Sequence, residues 1–192
     1  MAEPLAYFIT FSTYGTWLHG RAPGSVDRQH NAPGTPVLPV DPALEASRRR
    51  GLRQKPYFLD EQRREVVLRT IREVAHHRQW KLRAVHVRTN HVHIVVTASA
   101  KPEKVMADFK AWASRRLREA FQEVADRDRW TQHGSTLWLN SEEALAAKCV
   151  YVIDEQGEPM ARFDGRNEHD ERRTDSKNVN PSLTLPARGE MT

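Results

Sequence analysis

Residues 90–96 read Asn90-His91-Val92-His93-Ile94-Val95-Val96. Polar and apolar residues alternate at a period of two, the signature of a strand. Successive side chains of a strand point to opposite faces, so His91 and His93 share one face, and Val92, Ile94 and Val96 the other. The apolar set calls for packed helices and leaves the two imidazoles together on the far face. Upstream, Arg88-Thr89-Asn90 reads as a turn and Lys81 to Val87 as the partner strand of a hairpin.

Working outward, Leu5 to Leu18 (LAYFITFSTYGTWL) is rich in β-branched and aromatic residues, and Tyr7, Ile9 and Phe11 alternate as a first strand requires. Leu59 to Trp80 predicts a helix, with Asp60 as N-cap and Val67, Ile71 and Val74 on one stripe. Lys101 to Ala125 predicts the longest helix, with Val105, Phe109, Trp112, Leu117, Phe121 and Val124 at helical spacings; Phe109 and Trp112 belong to the core. Gly134-Ser135 marks a turn, and Thr136 to Leu139 a short strand. Ser141 caps a last helix that runs to Gln156 and stops at Gly157. The order β-α-β-β-α-β-α is an α+β plan whose first six elements match a ferredoxin-like, split βαβ sheet. Such a sheet packs both helices on one face and leaves the other open for function.

The chain has 192 residues, with 30 Lys+Arg against 25 Asp+Glu and one cysteine. This length suits one domain over about residues 1–160, and the mild basic excess permits a polyanionic partner. The lone Cys149 excludes an intramolecular disulfide framework and a multi-cysteine zinc site. No apolar run approaches a membrane span, and no secretory signal is visible, so the expectation is a cytoplasmic protein with no membrane partner. Prolines and glycines crowd residues 19–56, which read as an irregular insertion. Within it Arg48, Arg49, Arg50, Arg53 and Lys55 form a basic cluster, either a solvated short helix or loop or a phosphate contact. Residues 161–192 read as a disordered polar tail.

Two histidines on one strand face can share a divalent cation, which then needs a third ligand and open positions. The alternative is a pair of exposed histidines on a half-buried strand. The last helix offers partners: Tyr151 and Glu155 are four apart on one face, Gln156 follows, and Lys148 is three before the tyrosine. Leu145, Cys149 and Val152 form the stripe that should be buried. A phenol has a reference pKa of about 10, so as a nucleophile it needs a cationic neighbour. Arg83, Arg88, Lys110, Arg115, Arg116, Arg118 and Lys148 are candidate contacts to a polyanion, and Trp130, His133 and Trp138 candidate stacking surfaces. Each also has an ordinary reading as a solvated charge or a packed aromatic. His19 is a further candidate for lining the site.

The segments FSTYGTWLHG, VRTNHVHIVV, FKAWASRRLRE, WTQHGSTLWL and YVIDEQG, in this order, resemble the single-tyrosine transposases of small insertion sequences, specifically their REP-associated relatives. The likeness spans about Leu5 to Gly157 and rests on the His-hydrophobic-His (HUH) pair with a helical tyrosine some sixty residues downstream. It implies a ferredoxin-like fold and metal-dependent cleavage and rejoining of single-stranded DNA with hairpin ends through a 5′-phosphotyrosine. By position His91 and His93 become ligands of Mg²⁺ or Mn²⁺ and Tyr151 the nucleophile. Relatives commonly carry Gln or Asn four residues after the tyrosine; here that position is Glu155, the preferred third ligand, with Gln156 as alternative. A nucleoid-associated location follows, and monomer and homodimer both stay open. The competing readings are an HUH replication or conjugation nickase and a catalytically silent hairpin-binding module. The RNP1 pattern of an RRM is not found.

Overall fold

The structure, a computed structural model, describes residues 4–18 and 41–167. Five strands form one sheet in the order β4-β1-β3-β2-β5. These are β1 (Ala6–Ser12), β2 (Lys81–Val87), β3 (His91–Thr97), β4 (Ser135–Leu139) and β5 (Ala161–Asp164). The helices are α1 (Pro42–Arg50), α2 (Glu61–His77), α3 (Pro102–Phe121) and α4 (Glu142–Asp154). All ladders are antiparallel. The first four strands have the order of the expected ferredoxin-like plan, with β5 added beside β2.

The two periodicities divide the core. Val92, Ile94 and Val96 join Ile9, Phe11, Val85 and Val87 beneath α2 and α3, where Ile71, Phe109 and Leu117 are fully buried. Each such side chain contributes about 1.5–3 kcal/mol on leaving water. The far face is not open, as the six-element plan implied. Leu145, Cys149, Val152 and Ile153 of α4 pack there on Ala6, Ala84, Val95 and Leu139. Helix α4 leaves β4 at one sheet edge and returns to β5 at the other, so it lies across the histidine face.

Three local expectations change. The irregular segment contains α1, because Asp41 Oδ1 accepts from the amides of Ala43 and Leu44 at 3.0 Å and Pro42 needs no helical donor at its position. Helix α3 ends at Phe121 rather than Ala125. Gln122 turns left-handed at φ 52 and donates its amide to Arg118 O, leaving Val124 66% exposed. The tail expected from residue 161 instead begins with β5, whose Ala161 and Phe163 are buried while Arg162 and Asp164 alternate outward. Four residues framed by charge give too short a pattern to read. Residues 19–40, His19 included, and the remainder of the expected tail from 168 lie outside the described residues.

Candidate active site

His91 and His93 lie as the strand period predicts, on the α4 side of the sheet, with ring centres 4.7 Å apart. Tyr151, on the face of α4 turned to the sheet, brings its ring to 5.8 Å from His93. Phe8, from β1, forms the floor: it stacks on His93 at 5.6 Å and 23° and meets Tyr151 edge-on at 5.9 Å. Lys148 Nζ stands 4.8 Å from the Tyr151 ring centre and 5.1 Å from that of Phe8. One helical turn separates Lys148 from Tyr151, so both face the same floor.

Neighbours orient each imidazole. His91 Nδ1 is 2.8 Å from Asn90 Oδ1, an acceptor, so this nitrogen carries the proton and Nε2 keeps its lone pair. His93 Nδ1 is 2.8 Å from Thr10 Oγ1, the residue opposite it in the β1–β3 ladder. With the hydroxyl accepting, the lone pair of His93 lies on Nε2, which faces the Gln156 side chain. Burial lowers the pKa of His91 to about 4, helped by the charge of Arg88. Burial lowers that of His93 to about 3, with His91, His86 and Arg88 adding to it and a hydrogen bond to the Gln156 side chain opposing it. Both rings are therefore neutral at pH 7, the state in which imidazole binds a metal. Their outer nitrogens are held by Asn90 and Thr10, as ligating histidines require. The donor set fits a divalent cation.

The structure separates the two candidates for a third ligand. Helix α4 ends at Asp154, and Glu155 follows with φ −107 and an exposed side chain. The helical-face argument for Glu155 fails because the helix stops one residue before it. Among the described residues no three His, Cys, Asp or Glu side chains gather as a metal site. Gln156 is half-buried, donates Nε2–H to the Tyr151 carbonyl at 3.1 Å, and reaches His93. Its Nε2 is taken by the backbone, so its carbonyl oxygen is the end that faces His93 and would meet a cation held there.

Sequence reasoning missed Phe8, Thr10 and His86. His86 is fully buried opposite His93 in the β2–β3 ladder. The Met160 amide donates to its Nε2 at 3.1 Å and its Nδ1 lies 3.0 Å from Val152 O, so both nitrogens are engaged and it serves the fold. The parity of β2 gave a usable signal for His86; the partnerships of Phe8 and Thr10 depend on register between distant strands.

The cationic candidates fall into two groups. Arg88 donates to Glu158 O at 2.9 Å, in the segment leading from α4 back to β5. Arg83 Nε donates to Thr97 Oγ1 at 3.2 Å. Lys110, Arg115, Arg116 and Arg118 belong to α3, across the sheet from the histidines. Lys110 donates to the carbonyls of Thr131 and His133, and burial lowers its pKa to about 8. Arg116 pairs with Glu73 and Glu119, and Arg115 lies over the Trp112 ring. Trp130 packs edge-on against Phe11, with its indole donating to Lys110 O and Ser114, so it is half-buried in the packing of α3 on β1. Trp138 is 54% exposed, on the α3 side beside Tyr7. His133 is exposed in the loop before β4.

Residues 52–143 match the family described as IS200-like transposases. The match includes both histidines and ends before Tyr151. Two solved structures are similar. One is a protein of Deinococcus radiodurans R1 assigned as a transposase, at 15% identity and TM-score 0.45, over 79% of this chain and 91% of that one. The other is a REP-associated tyrosine transposase bound to a REP hairpin, at 9% identity and TM-score 0.46, over 100% of this chain and 94% of that one. No curated protein matches.

Proposed function

Because residues 52–143 match the family of IS200-like transposases, we propose that this chain cleaves and rejoins single-stranded, hairpin-flanked DNA with Tyr151 as the nucleophile. The observation that supports the reading best is the meeting of His93 and Tyr151 over Phe8, with His91 beside His93. Two strands and a helix supply these groups, and Phe8 and Tyr151 pack beside the second hydrophobic cluster as they meet His93.

His91 and His93, through Nε2, and Gln156, through its side-chain carbonyl, would hold Mg²⁺ or Mn²⁺. When bound, the ion offsets phosphate charge and polarises the scissile group. The chain's own residues do the rest. Thr10 and Asn90 fix the imidazoles, and Phe8 keeps the Tyr151 ring beside them. Tyr151 Oη attacks phosphorus and loses its proton to solvent. The P–O3′ bond breaks, the 3′-oxygen takes a proton from water, and a 5′-phosphotyrosine remains. Lys148 places a positive charge beside the forming phosphodiester. Attack by a 3′-hydroxyl reverses the step and rejoins DNA without ATP, since the tyrosyl ester stores the cleaved bond.

The test is a labelled hairpin oligonucleotide, taken from DNA flanking the gene, incubated with Mn²⁺, Mg²⁺ or EDTA. Wild type should give a metal-dependent covalent band on a denaturing gel, and Tyr151→Phe should give none while still retarding the DNA. Retardation without an adduct in wild type under either metal would replace this reading with that of a hairpin-binding module.

A further inference from the structure

One charged surface remains outside the site. Residues 48–58 read RRRGLRQKPYF, five cations and no carboxylate. Arg49 is engaged by Glu45 at 2.7 Å, and Arg53 lies 3.8 Å from Asp128 with 86% of its side chain exposed. Arg50 and Lys55 are exposed and form no ion pair among the described residues. Phe58 is 57% exposed between buried Tyr57 and Leu59, and Trp17 is 42% exposed. Phe58 and Trp17 thus present aromatic surface to solvent, Phe58 within the same basic segment.

This surface is rigidly joined to the candidate site. The Leu59 amide donates to Thr89 O at 2.7 Å, two residues before His91. Tyr57 N donates to Tyr14 O at 2.8 Å, Arg53 N to the Tyr14 hydroxyl at 3.1 Å, and Thr13 N to Asn90 O at 2.8 Å. The turn bearing Trp17 is seated against the same segment: a Cβ on Gly15 (φ +70) would stand 3.0 Å from Leu52 Cδ1. Tyr57 and Leu59 enter the core on the α2–α3 side, and Phe58 between them is excluded from it.

We propose that Arg50, Arg53, Lys55, Phe58 and Trp17 form the binding surface for the single-stranded DNA that continues from the phosphate held at His91 and His93. This rests on the function proposed above. Phosphates meet the three cations and bases stack on the two rings, the combination by which proteins hold single strands without reading sequence. Single-stranded rather than duplex DNA is the occupant because stacking needs free base faces, which a paired stem does not present.

The test is fluorescence anisotropy of a labelled dT oligonucleotide and of a hairpin lacking single-stranded flanks, across a salt series. Arg50→Glu/Arg53→Glu/Lys55→Glu should weaken dT binding at least tenfold and reduce the salt slope by about 2, at about 0.7 for each phosphate no longer neutralised. Trp17→Ala/Phe58→Ala should weaken it about tenfold or more with the slope unchanged, and Phe58→Trp should keep it. Arg69→Glu, on the solvent face of α2, is the charge control and should bind as wild type. All substituted side chains are exposed, and a melting curve confirms folding. Unchanged dT affinity in both multiple variants, or no dT binding by wild type, overturns the surface. Equal losses for dT and the bare hairpin overturn its single-strand assignment. The covalent-adduct assay separates the two claims: adducts with unchanged dT affinity defeat only the surface, whereas lost dT affinity without any wild-type adduct defeats only the transposase reading.

Discussion

Thr10 Oγ1 lies 2.8 Å from His93 Nδ1, from residues 83 positions apart brought opposite each other by the β1–β3 register. This hydrogen bond orients a ring buried on the α4 side and leaves its Nε2 to the site. Thr10→Val keeps the shape and removes the partner. Divalent-metal affinity should fall about 10–100-fold, the usual effect of removing such an outer partner. Calorimetric titration with Mn²⁺ measures it, and wild-type affinity in the variant would show that Thr10 orients nothing.

Gln156 and Glu155 should behave oppositely. Gln156 reaches His93, whereas Glu155 stands exposed beyond the end of α4. Gln156→Ala should cut Mn²⁺-dependent adduct formation at least tenfold, and Glu155→Ala should leave it within about twofold, taking removal of one metal ligand as more than about 1.4 kcal/mol. The reverse result would restore Glu155 as the ligand.

Tyr57 sets an alkaline signature. Its hydroxyl donates to Glu123 at 2.8 Å, and burial together with that carboxylate raises its pKa to about 12. A raised pKa means that the folded state holds the proton more tightly. The stabilisation is complete below pH 10 and is lost between pH 10 and about 12. Tyr57→Phe should cost about 1.5–3 kcal/mol at pH 8, as for a hydrogen bond to a charged group. In urea titrations its gap from wild type should narrow from pH 10 upward, and a constant gap would contradict the assignment.

Gly134 touches the site from behind. A Cβ there would come within 2.5 Å of both Thr10 O and Met106 Sδ. The methionine can move, but the strand carbonyl is fixed by its ladder. Gly134→Ala should therefore lower stability by about 1–3 kcal/mol, the range for overpacking. It should also weaken Mn²⁺ binding, since the displaced residue is the one that holds His93. Stability and metal affinity both at wild-type values would show that the loop before β4 yields freely.

The hairpin of β2 and β3, the shared face of His91 and His93, and the buried stripe of Leu145, Cys149 and Val152 were all legible in the chain. Each depends on periods of two or 3.6 residues, which are set by bonds between near neighbours. Strand β5 was not legible, because four residues alternate too briefly and its pairing with β2 depends on where α4 delivers the chain. Nor was the departure of Glu155 from the helical face, since a helix end is decided by what surrounds it. The placement of Phe8 and Thr10 against His93, and of Tyr151 above them, required the register of β1 on β3 and the path of α4 across the sheet. The sequence alone determined which residues share a face. The tertiary structure decided which faces meet, because those meetings are fixed by packing between segments far apart in the chain.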